Sequence, residues 1–115
     1  MSSSILYTLP SLARTASGNS ENINTTSSFE LAFDANTTLV SGTSPTLQFA
    51  IDRLGSDGVW YNIWLSSVRN TTGSDSKSIG TGLALPESSG SAIRIRWIIG
   101  GTSPSFTFSI SLIGK

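Results

Sequence analysis

Phe106, Phe108, Ile110 and Leu112 alternate with Thr107, Ser109 and Ser111, a period of two that predicts a strand with one buried face. The same rhythm sets Ile93, Ile95, Trp97 and Ile99 against Arg94 and Arg96, and Leu47, Phe49 and Ile51 against Gln48, Ala50 and Asp52. Phe29, Leu31 and Phe33 repeat it beside Glu30 and Ala32; Asp34-Ala35-Asn36 then reads as a turn, with pairing resumed through Val40. From Val59 to Leu65 the alternation places Tyr61, Ile63 and Leu65 on one face and Trp60 and Trp64 on the other. Between two of these runs stands Gly55-Ser56-Asp57-Gly58, a hairpin turn in which Gly58 supplies the positive φ. No useful window has helical periodicity. Two stacked layers bury alternating faces that one sheet would leave wet, so the pattern predicts an all-β antiparallel β-sandwich, Ig-like or jelly-roll-like, of about seven strands.

Gly-Thr-Ser-Pro occurs twice, at residues 42–45 and 101–104, each time between an apolar pair and an alternating run. Overlaid, the copies also match Phe49 with Phe108, Ile51 with Ile110 and Gly55 with Gly114. Each copy reads as a hairpin connector: Gly42 and Gly101 for the reversal, Pro45 and Pro104 opening the next strand.

The flanks of these runs divide the chain into residues 1–28, an arm or strap with one possible edge strand, and residues 29–115, the sandwich. Ile5 to Leu9 is a short apolar run closed by Pro10, and Ser11 to Ser28 is polar. The segment from Asn70 to Gly82 reads as a loop with a short strand near Ile79, and Leu83-Ala84-Leu85-Pro86 as a brief strand. The start of the chain lacks the basic and long apolar regions of a secretion signal, and no stretch is long and apolar enough to span a bilayer.

Composition narrows the chemistry. The chain of 115 residues has neither Cys nor His, which removes thiolates and the commonest general base and metal ligand. No cofactor or metal is expected, and the balance of seven basic and seven acidic residues disfavours a nucleic-acid or membrane partner. Only 12% of residues are charged, while 23 serines and 13 threonines fill the polar positions. A hydroxylated surface with few charges resists association weakly and suits a protein packed against neighbours.

Three groups are candidates for interaction. Ile5, Leu6, Tyr7 and Leu9 could add a strand to a neighbour's sheet, in which case deleting residues 1–10 would leave the sandwich folded. Trp60 and Trp64, sharing a face, suit a protein contact or a sugar platform. Arg94 and Arg96 suit bidentate grip of a partner's carboxylates or plain solvation, with Arg53 nearby. The carboxylates Glu21, Glu30, Asp34, Asp52, Asp57, Asp75 and Glu87 show no pairing that a glycosidase would need, and no catalytic residue is assigned.

Several stretches resemble small virion proteins of tailed bacteriophages. These are Ala13 through Ser20, Val40 through Pro45, Asp57-Gly58-Val59-Trp60-Tyr61, and the closing pair from Arg94-Ile95-Arg96-Trp97 to Ser109. The segment from Asn70 to Gly82 departs from that pattern. The resemblance implies a non-enzymatic structural protein of the particle, of the capsid decoration or cement type. It implies the major capsid protein as partner, self-association as a dimer or trimer, synthesis in the host cytoplasm and residence on the capsid surface. A neck, tail or fibre-associated domain and a carbohydrate-binding module are the alternatives.

Overall fold

The computed structural model of the chain describes residues 4–25, 30–55, 57–80 and 92–114. Among these it forms seven strands and an antiparallel sandwich. They are β1 (Ser4–Arg14), β2 (Gly18–Asn19), β3 (Ile23–Asn24), β4 (Glu30–Leu54), β5 (Trp60–Leu65), β6 (Gly73–Gly80) and β7 (Ala92–Gly114). The brief strand expected at Leu83–Pro86 lies outside the described residues, as do Phe29 and Glu87.

Two strands dominate. β4 and β7 are 25 and 23 residues long and pair with each other almost throughout. A straight strand would separate Phe33 from Phe49 by about 53 Å, yet their ring centroids are 5.7 Å apart. Trp97 and Phe108 likewise meet at 5.9 Å. The β4–β7 ladder therefore folds back on itself midway, and its halves become the two layers. Residues 30–41 and 105–114 form one layer, flanked by β6 and β1; residues 46–54 and 92–100 form the other, flanked by β5 and by β2 with β3.

The fold point is the repeated tetrapeptide, and its role differs from the hairpin connector expected. Were each copy a hairpin, Val40 would pair near Leu47; instead Val40 lies opposite Phe106, and Leu47 opposite Ile99. The strands continue through both copies, which face each other with Thr43 opposite Thr102. Gly42 and Gly101 have φ of 115° and 108°, and Ser44 and Ser103 both have φ of 48°. Each glycine accommodates the backbone of the other copy's Ser-Pro step. A Cβ on Gly42 would stand 2.7 Å from the Ser103 carbonyl oxygen, and one on Gly101 2.7 Å from that of Ser44. The string occurs twice because each copy is shaped against the other.

This makes the layers approximate two-fold mates. The overlaid phenylalanines, Phe49 and Phe108, meet edge to face at 5.2 Å in the middle of the core. Around them lie Leu31, Phe33, Leu47, Ile51, Ile93, Ile95, Phe106, Ile110 and Leu112, all at most 3% exposed. Every position that the alternation turned inward in the last two runs is buried or packed on the core. The turn expected at Asp34-Ala35-Asn36 is regular strand, with Ala35 and Thr37 buried. The strand expected near Ile79 is present but longer: the segment read as loop after Asn70 holds the eight-residue β6, paired residue by residue with β4.

Serine hydroxyls complete the ladder where flanking strands fail. Ser20 accepts a bond from the Ile95 amide at 2.9 Å, between β2 and β3. Ser66, just past β5, accepts one from Phe49 at 2.9 Å. Both serines are buried. Ser20→Ala and Ser66→Ala should each cost about 1–2 kcal/mol, because a buried amide loses its acceptor; urea midpoints measure this, and wild-type midpoints would show that water replaces the hydroxyl.

Candidate functional site

β1 is not a free arm. It pairs with β7 from Ser4 opposite Gly114 to Arg14 opposite Phe106. Pro10 does not close it, since the strand runs on to Arg14 with irregularities at Leu6 and at residues 10–11, where a missing amide is tolerated. Leu6, Tyr7 and Leu9 pack against the core, leaving Ile5 as the outward member of that group, 70% exposed. Removing residues 1–10 would therefore strip most of β1 from its own sheet. The polar segment after it supplies β2 and β3.

The two tryptophans do not share a face. β5 carries one extra residue at Ile63: Asn62 pairs with Asp52, while Trp64 already pairs with Ile51. The bulge reverses the alternation. Trp64 points inward, its ring 5.4 Å from Phe33 of the other layer. Trp60 points outward, beneath the Arg94 guanidinium at 4.5 Å. No Trp60–Trp64 platform exists.

Arg94 and Arg96 do share a face, and both are engaged within the chain. Asp52 on the adjacent strand takes Arg94 Nε at 2.9 Å and Arg96 Nε at 2.6 Å on Oδ2. Its Oδ1 takes Arg96 Nη2 at 3.2 Å and Asn62 Nδ2 at 3.1 Å. Burial pushes the Asp52 carboxyl up; the bonds from Arg96, Asn62 and Arg94 and the charge of Arg96 outweigh it and hold the group below the usual carboxylate range. The arginines thus cover a buried carboxylate on the outer face of the second layer. Asp52 and Asn62 are the members that sequence reasoning left out. The signal available was an acidic position on the outward face of a strand neighbouring the Arg94–Arg96 face.

Gly58 behaves as expected, with φ of 82°. The Gly55 amide donates to the Val59 carbonyl at 2.7 Å. Asp57 closes the turn, accepting from the Val59 amide at 3.0 Å and from the Tyr61 hydroxyl at 2.6 Å, and these bonds hold its carboxyl below the ordinary value. Arg53 lies over the Tyr61 ring at 5.0 Å, away from the Asp52 cluster's hydrogen bonds.

Each of these carboxylates has a partner, and so has Asp75, which holds Arg69 at 3.0 Å. Among the described residues no three acidic side chains gather as a metal-holding group. The apolar surface is more distinctive. Ile5, Leu12, Leu39, Leu65 and Val68 are 50–70% exposed outside the buried core. No family model, curated protein or solved structure matches the chain.

Proposed function

We propose that the chain is a non-enzymatic capsid decoration protein of a tailed phage, binding the outer shell across seams between major capsid subunits. The observation that carries this reading is the set of apolar side chains exposed outside the sandwich core. Ile5, Leu12, Leu39, Leu65 and Val68 lie outside the core and remain available for burial. The low charge and abundant hydroxyls reduce the desolvation cost of a wide contact. The resemblance of Ala13–Ser20 and of both Gly-Thr-Ser-Pro regions to small virion proteins points the contact toward a shell. A cement protein adds interface that exists only in the assembled lattice, and mass action then favours that state.

The full chain added to expanded tailed-phage capsids stripped of decoration protein should co-sediment at shell-wide occupancy and raise their melting temperature. Binding confined to the neck or tail would reassign it to another virion part. Failure to bind any particle, with retention on a glycan array, would overturn the reading in favour of a sugar-binding module.

A further inference from the structure

The outer edge of β6 carries a self-complementary pattern. β6 pairs with β4 in unbroken register, from Gly80 opposite Glu30 to Gly73 opposite Thr37. Among the described residues no other strand pairs with β6, and Arg69 Nη2 donates to the Ser74 carbonyl at 3.0 Å. The other long edge differs: β1 is interrupted by two irregularities and Pro10. The six-residue β5 is bulged. β6 is the regular edge, and an unpaired regular edge is a template for another strand.

Its sequence selects which strand. Asp75 and Lys77 lie two apart and so on one face, while Ser74, Ser76 and Ser78 lie exposed on the other. Asp75 is tied to Arg69 by two bonds of 3.0 and 3.2 Å, and Lys77 has no ion-pair partner among the described residues. A two-fold antiparallel pairing of β6 with itself must keep faces and hydrogen-bonding edges matched, which permits only registers two residues apart. With Ser76 opposite the partner's Ser76, Asp75 faces the partner's Lys77 twice over. One permitted step in one direction sets Lys77 against the partner's Lys77; one step in the other sets Asp75 against the partner's Asp75. A lysine on an edge strand discourages pairing, most of all in the register that sets it against its own copy. Here the aspartate two positions away gives one register two attractive pairs that its neighbours lack.

We propose that two copies of this chain associate through β6, Ser76 against the partner's Ser76, forming a continuous sheet across a two-fold axis. The inference goes beyond the capsid reading and does not depend on it.

A cysteine scan of the full chain tests the register, aided by the absence of any native cysteine. Directly opposed residues stand about 4.5–5.5 Å apart at Cα, within disulfide reach. Ser76→Cys should therefore cross-link to a covalent dimer under mild oxidation. Ser74→Cys and Ser78→Cys should not, because each would stand about 13 Å from its own copy. Sedimentation should show a wild-type dimer, weakened about tenfold or more by Lys77→Glu, which turns two attractive pairs into two repulsive ones. A monomeric wild type would overturn the proposal. So would a dimer indifferent to Lys77→Glu, or cross-linking that is equal at, or absent from, all three serine positions. Capsid binding by a monomeric chain would leave the functional reading standing while this one fails.

Discussion

Gly101→Val is expected to destabilise the fold by roughly 3–5 kcal/mol, the sum of a left-handed backbone forced on a β-branched residue and a collision the backbone cannot relieve. Its φ is 108°, and a Cβ would meet the Ser44 carbonyl oxygen at 2.7 Å and the Pro45 Cα at 2.9 Å. Those are backbone or ring-anchored atoms in the opposite copy of the tetrapeptide, so relief requires shifting the fold point itself. Gly58→Ala is the control. Gly58 also has positive φ, at 82°, but nothing lies within 4 Å of where its Cβ would be. It should lose only about 1 kcal/mol, the conformational part. Thermal melts of the two variants separate these causes. A Gly101→Val melt no lower than that of Gly58→Ala would show that the two copies do not press together.

Asp52→Ala is expected to cost about 2–4 kcal/mol, because it leaves two guanidinium groups side by side with their shared carboxylate gone. The figure sits below that for a wholly buried pair, since the Arg94 and Arg96 side chains are 27% and 33% exposed and water can still solvate them. The same cluster sets an acid limit. A carboxyl held below its unfolded value of about 3.9 contributes its full stabilisation above that value and loses it as pH falls through the folded one. Wild type should therefore lose stability on acidification below about pH 4, and Asp52→Asn should lack that portion of the loss. Urea midpoints measured across that range decide it. Parallel curves for the two proteins would mean that Asp52 does not titrate against the arginines.

The inward faces were legible because two-residue periodicity reports burial directly. Leu47, Phe49 and Ile51 all point into the core, as do Phe106, Phe108, Ile110 and Leu112. Illegible were the places where one residue is inserted. The extra Ile63 sends Trp60 and Trp64 to opposite faces, and a strict count of two cannot register it. The tetrapeptides were found but misread, because a turn rule considers one copy at a time and their geometry depends on both. The arginine face was recognised; its partner was not, because strand neighbours are set by topology and β4 and β7 lie far apart in sequence. Of β6 only a short strand near Ile79 was expected, for a different reason. Its serines and glycines carry no apolar alternation, and only Ile79 packs on the core. Its strand character comes from hydrogen bonding to β4.

The continuity of β4 and β7 through both layers governs how this molecule can be made and unmade. Neither layer exists without the other, since each borrows half of the same two strands, so no stable half-molecule is available as a stopping point. The central pairing joins Thr43 to Thr102, and its outer end joins Leu31 to Gly114. Long loops must close before any of this ladder is rewarded, which makes for slow folding. Once closed, parting the layers would expose the Phe33, Phe49 and Phe108 rings that meet between them.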